Sequence, residues 1–111
     1  MAVNSRRKGA DGERSLAKIL REYGYLTERT AQYCGKTGEA ADIRGLPGIH
    51  IECKRVEKLN LSKAMQQAEN DARDGEIPCV FHRKNREKWK VTMNLDDFMK
   101  MYERWSDAGD N

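Results

Sequence analysis

Residues 49–55 read IHIECKR, a short apolar run that carries an acid and a lysine two positions apart. Side chains alternate between the two faces of an extended strand. The apolar residues at positions 49, 51 and 53 thus share one face, and the other face carries His50, Glu52 and Lys54. The stretch therefore predicts a strand with one face for a core and the other for chemistry.

Two further strands are indicated on the N-terminal side of this segment. The pattern from residue 25 to 33 is compatible with a strand, and ADIR at 41–44 forms a second, shorter one. A turn around Pro47 then leads into IHIECKRV. We therefore expect three consecutive strands, of which the last two are neighbours.

Apolar residues at helical spacing predict three helices. The first begins at an N-cap formed by Asp11 and ends before Gly24, and the second starts at Leu61. The runs CVFHR and WKVTM between the second and third helices predict a two-stranded hairpin. The third helix follows Asn94 and carries an aromatic face, most of which we expect the core to take up.

The predicted order of elements is αβββαββα, a mixed five-stranded sheet flanked by helices in an α/β or α+β arrangement. A chain of 111 residues suits a single domain. We expect residues 1–10 to form a basic arm and residues 106–111 a frayed tail. No apolar run approaches the roughly 20 residues of a membrane span, and the scattered cysteines suit a reducing cytoplasm.

The basic residues are clustered although the net charge is only +3. Arg6, Arg7 and Lys8 stand together without an acid, and most residues of the turn at 83–90 are basic. Such clusters could bind a polyphosphate. The alternative is that they are solvated loop tips.

A possible metal site is indicated by two acids that the Pro47 turn should bring together. Asp42 would then lie beside Glu52, and two converging carboxylates favour a cation between them. Mg²⁺ takes oxygen ligands, so Asp42, Glu52 and the backbone carbonyl of Cys53 would suffice. Lys54 could orient or deprotonate the attacking water. Glu13 is either a partner of the helix dipole or a group aimed at the site. For Glu52 and Lys54 the alternative is structural, because an isolated Glu-x-Lys pair is often only a solvated ion pair.

These residues resemble the PD-(D/E)xK nuclease superfamily, and within it the archaeal-type Holliday junction resolvases and their small phage-borne relatives. The matching stretches are RRKGADGER, AADI, IECK and QAEND. Ala41 replaces the proline of the family motif. This proline provides no metal ligand, so the replacement leaves the expected chemistry unchanged. The resemblance implies a restriction-endonuclease-like core whose catalytic residues are Glu13, Asp42, Glu52, Lys54 and Gln67. The adjacent Gln66 is the alternative to Gln67, and His50 receives no role beyond a structural or supporting one.

The resemblance further implies Mg²⁺, or Mn²⁺ in its place, as cofactor and a homodimer that cuts branched DNA. Metal ligands would be Asp42, Glu52 and the Cys53 carbonyl, with Glu13 acting through water. We expect DNA contacts from Arg6, Arg7, Lys8, Lys36 and Arg55. The alternatives are a nuclease of the same chemistry acting on flaps, ends or duplex sites, and a DNA-binding accessory protein that does not cut. A phage-encoded chain would act in the host cytoplasm.

Overall fold

The computed structural model describes residues 5–30 and 42–109, with side chains from residue 8 onward. The elements follow the predicted order αβββαββα. The helices are α1 (Ser5–Glu22), α2 (Leu61–Asp71) and α3 (Leu95–Gly109). The strands are β1 (Glu28–Arg29), β2 (Ile43–Arg44), β3 (Ile49–Arg55), β4 (Ile77–Arg83) and β5 (Lys90–Met93).

The strands form one mixed sheet in the spatial order β1-β2-β3-β4-β5. Strands β3 and β4 run parallel because helix α2 connects them, and the other neighbours pair antiparallel. The five-stranded mixed sheet flanked by helices, and the β4–β5 hairpin within it, are thereby confirmed. Among the described helices, none combines the length and the hydropathy that crossing a bilayer requires.

Helices α1 and α2 cover opposite faces of the central strands. Leu16 and Ala17 of α1 pack against a cluster that includes Ile51, and Ala64 and Ala68 of α2 pack against Val80. The second face of β3 is therefore more deeply buried than the sequence suggested, since Glu52 is only 2% exposed. A central strand of a parallel pair is normally covered on both faces.

Helix α1 begins at Ser5, so the prediction of an N-cap at Asp11 was wrong. Arg, Lys and Ala in this stretch favour a helix, and Asp11 instead forms an exposed ion pair with Arg14. Residues 5–10 of the expected arm are thus helical. Glu13 consequently lies in the middle of α1, too far from its start to act on the helix dipole.

Of the strand expected over residues 25–33, the described residues 25–30 contain Glu28–Arg29, which pair with β2. Residues 31–33 lie outside the described part of the chain. The turn before β3 depends on Gly45, whose φ of +109° is in the left-handed region and whose Cα lies against the backbone of Leu26. A side chain at this position would meet that backbone.

Helix α3 departs from the expectation that its aromatic face belongs to the core. None of its residues is buried, and Trp105 remains 71% exposed. The helix borders an apolar groove of about 660 Å³ on the β4–β5 side of the sheet, lined by Leu46, Ile49, Cys79, Phe81, Val91, Met93, Phe98, Met101, Tyr102 and Trp105. The helix also continues through Gly109, so residues 106–109 of the expected frayed tail are helical.

Substituting Gly12 tests the close approach of α1 to β3. A Cβ on Gly12 would lie 2.9 Å from Cβ of Arg55, whereas Gly9 of the same helix has open space around it. We expect Gly12→Ala to lower the free energy of unfolding by roughly 1–2 kcal/mol, because overpacking outweighs the gain in helix propensity. Urea unfolding measures this change.

The matched control is Gly9→Ala, which should leave the stability unchanged or raise it by up to about 1 kcal/mol. Equal stabilities of the two variants would contradict the close packing of α1 on β3.

Candidate active site

The pairing of β2 with β3 places Asp42 beside Glu52, as predicted. Ile43 pairs with Ile51 in an antiparallel register, which places Asp42 opposite Glu52 one position further along. The Asp42 N–H donates to the Ile51 carbonyl at 3.1 Å, and the Cys53 N–H donates to Asp42 Oδ2 at 2.8 Å. One bond thus ties the Asp42 backbone to β3, and the other orients its carboxylate.

The electrostatics of this pair are dominated by burial. Desolvation, followed by the charge of Glu52, raises the pKa of Asp42 to about 7. The hydrogen bond from Cys53 and the charge of Lys54 act in the opposite direction but are weaker. Near neutral pH the site thus binds a proton readily, and a cation would serve the same purpose.

The two oxygens of Glu52 face different neighbours. Lys54 Nζ lies 3.4 Å from Oε2, and His50 Nε2 lies 3.9 Å from Oε1. Glu52 and His50 are almost completely buried, whereas the Lys54 side chain is 31% exposed. Lys54 therefore lies between the buried acid and the solvent.

Glu13 reaches the site from α1 and is held by a residue that the sequence did not single out. Arg29 Nε donates to Glu13 Oε1 at 2.6 Å, in a partly buried ion pair. Strand β1 is tied to α1 by Thr27, whose hydroxyl donates to the Ala17 carbonyl. The ion pair between Arg29 and Glu13 follows from this packing, so the local sequence around either residue does not predict it.

These acids line one cavity of about 460 Å³, which we call the acidic cavity; its lining comprises Lys8, Gly9, Glu13, Asp42, Glu52, Cys53, Lys54, Arg55, Val56, Glu57 and Gln67. The five residues predicted to be catalytic are thus brought together. Gln66 borders a different cavity, beside Glu69 and Asn94. Position therefore favours Gln67 over Gln66 as the amide at the site.

Of the predicted DNA-binding residues, Lys8 and Arg55 line the acidic cavity. Arg55 Nε is buried and makes no hydrogen bond to any part of the chain that the structure describes. Arg6 and Arg7 belong to α1, but their side chains lie outside the described part, as does Lys36. Basic groups therefore accompany the acids at this cavity.

The cysteines near the site behave as core thiols. Cys53 and Cys79 are free and buried, and burial raises the pKa of the Cys53 thiol far above its usual range. Burial likewise raises the pKa of Cys79 to about 11. Neither thiol is a nucleophile near neutral pH. Cys34 lies outside the described residues.

The donor atoms at the cavity fit a hard divalent cation. Asp42 and Glu52 contribute carboxylate oxygens from adjacent strands, and burial makes their negative charge costly in the absence of a cation. The N–H and carbonyl of one strand residue point to the same edge, so the Cys53 carbonyl faces the Asp42 side. Oxygen donors of this kind are those that Mg²⁺ and Mn²⁺ prefer.

The chain is similar to proteins of known family and fold. A family model described as "Phage putative PDDEXK endonuclease" matches residues 4–110. Among solved structures, the Holliday junction resolvase Hjc of Archaeoglobus fulgidus is 26% identical, with a TM-score of 0.60 over 78% of this chain and 72% of that chain. A search of curated proteins gave no significant match. The chain belongs to the phage PDDEXK endonuclease family.

Proposed function

We propose that the protein is a metal-dependent DNA endonuclease that hydrolyses phosphodiester bonds in branched DNA. The observation that carries this proposal is one cavity whose lining includes Glu13 of α1, Asp42 just before β2, Glu52 and Lys54 of β3, and Gln67 of α2. A domain that only binds DNA would gain nothing from converging carboxylates, because they repel phosphate. Family membership supports the nuclease chemistry.

The metal dependence rests on Asp42 and Glu52. PDDEXK nucleases generally use divalent metal ions, and these two carboxylates with the Cys53 carbonyl would hold one. When bound, such an ion supplies positive charge beside the attacked phosphate and lowers the pKa of the water bound to it. We propose Mg²⁺, with Mn²⁺ as a substitute, because the donors are oxygens.

The remaining residues of the acidic cavity position and stabilise the reacting groups. The Lys54 ammonium, set against Glu52, is close to solvent and would offset the charge that develops on the phosphate. Glu13, fixed by Arg29, would hold a water by accepting its proton in a hydrogen bond. The Gln67 amide would donate a hydrogen bond within the same cavity.

DNA would be held chiefly through its backbone. Lys8 and Arg55 border the cavity that contains the acids, so their charges would attract a phosphate toward the carboxylates. Arg6, Arg7 and Lys36 would extend this contact. Recognition through phosphates suits an enzyme that reads DNA shape rather than base sequence, and the archaeal relative is a Holliday junction resolvase.

A second copy of the chain would complete the enzyme by covering the apolar groove beside α3. The groove is built from aromatic and aliphatic side chains, which suit a protein partner and offer no charge to nucleic acid. A self-complementary contact produces a two-fold dimer. Such a dimer presents two active sites, which suits paired cuts in a junction.

We place this activity in the host cytoplasm, as the phage family suggests.

Substitution of the acids tests the proposed chemistry. Asp42→Asn and Glu52→Gln should each reduce cleavage of a synthetic four-way junction in Mg²⁺ by at least about 10³-fold, because each removes a charge that the cation requires. Binding of the junction should persist, since the basic residues remain. Glu57→Gln, at the edge of the same cavity, is the matched control and should retain activity.

Cleavage by either variant at the wild-type rate would rule out the assignment of the two acids.

The preferred substrate is identified by comparing the cleavage rates of junction, fork, flap and linear duplex at one salt concentration, because salt alone shifts apparent preference. Preferential cutting of the junction is expected. Equal cutting of linear duplex would restrict the proposal to a nuclease without branch selectivity.

Substitution in the apolar groove tests the dimer. We expect the wild-type chain to sediment as a dimer and Trp105→Glu to sediment as a monomer, because a buried charge opposes association. Glu103→Gln, on the same helix but outside the groove, should remain dimeric. A monomeric wild type at micromolar concentration, or an unaltered Trp105→Glu dimer, would contradict this interface.

A further inference from the structure

A second group of possible metal ligands lies at the C-terminal end of α2 and shares Glu52 with the acidic cavity. His50 and Glu52 project from β3, and Asp71 is the last residue of α2. One donor atom from each of the three lies within 4.8 Å of the other two. The three residues thus bring one imidazole and two carboxylates close together between α2 and the sheet.

The burial of His50, together with the missing hydrogen bond at its Nε2 within the described chain, independently points to a ligand. Its side chain is 2% exposed, and its Nε2 makes no hydrogen bond to any residue that the structure describes. Nε2 faces Glu52 Oε1 at 3.9 Å, which is too long for a hydrogen bond. Two ligands that are each about 2.1 Å from one ion lie up to about 4.2 Å apart, so the observed separation suits an ion between them.

The other nitrogen of His50 lies near a carboxylate, beyond hydrogen-bond distance. Nδ1 lies 3.8 Å from Glu76 Oε1, and the second nitrogen of a histidine ligand is commonly held by a carboxylate. Glu76, which directly precedes β4, could thereby orient the ring.

Asp71 occupies a position that helix stability alone does not favour. It lies at the C-terminal end of α2, where no basic residue is present in the last turn. A negative charge at a helix C-terminus opposes the helix dipole. A cation beside Asp71 would convert this unfavourable placement into a favourable one.

We propose that His50, Glu52 and Asp71 bind a transition-metal dication at a second site, which shares Glu52 with the proposed catalytic ion. An imidazole with two carboxylates suits Mn²⁺ or Zn²⁺ better than Mg²⁺, which prefers oxygen alone. Oε1 of Glu52 faces this second site, while Oε2 faces Lys54 in the acidic cavity. The second ion would fix the Glu52 carboxylate and join the end of α2 to β3.

The test uses Mn²⁺ with the full-length protein in the absence of DNA. Electron paramagnetic resonance counts the bound ions, and electron spin echo modulation detects a nitrogen ligand, which His50 would provide at this site. We expect a second Mn²⁺ per chain and a nitrogen signal. Asp71→Asn should weaken this ion by at least about tenfold, since even the groups that support metal ligands contribute 10–100-fold.

Two further variants separate this proposal from the proposed function. Asp42→Asn should remove the catalytic ion and keep the nitrogen signal, whereas His50→Gln should remove the signal and keep the catalytic ion. Asp74→Asn, an exposed acid close to Asp71, is the matched control and should behave as the wild type. Mn²⁺ bound without a nitrogen signal, or a second ion insensitive to Asp71→Asn, would overturn the second site whether or not the protein cuts DNA.

Discussion

The hydrogen bond from the Cys53 N–H to Asp42 Oδ2 is the contact on which the site depends. It fixes one carboxylate beside another although burial and like charge oppose this placement. The opposition is overcome by the sheet itself, because Ile43 and Ile51 of the same paired strands are fully buried on the other face. Hydrophobic packing on one side thus maintains an electrostatically unfavourable arrangement on the other.

Charge compensation around the acids is uneven, and this distribution indicates which acids are available to a cation. Glu13 has a short ion pair with Arg29, and Glu52 has Lys54 at a longer distance. At Asp42 the effect of burial exceeds that of Lys54. Glu13 therefore suits a positioning role, whereas Asp42 and Glu52 suit direct contact with a cation.

The parts of the structure that the sequence predicted well are those encoded by local periodicity. The alternation in IHIECKR identified β3 and its acid and lysine, and the Pro47 turn placed Asp42 next to Glu52. Features that depend on contacts between distant segments were missed. Arg29 contacts Glu13 only because α1 packs on β1, and Asp71 lies near His50 only because α2 ends there. The exposure of Trp105 likewise depends on the packing of α3 and not on its local sequence pattern.

The most direct test of the account is the titration of the Asp42 carboxyl carbon by nuclear magnetic resonance, with chelator and then with Mg²⁺. Because burial and the charge of Glu52 raise the pKa of Asp42 to about 7, we expect the Asp42 carboxyl to lose its proton near that pH without metal. Mg²⁺ should move this step to lower pH, since a bound cation favours the ionised form. A carboxyl that titrates near its usual value of 3.8, with or without Mg²⁺, would contradict the account.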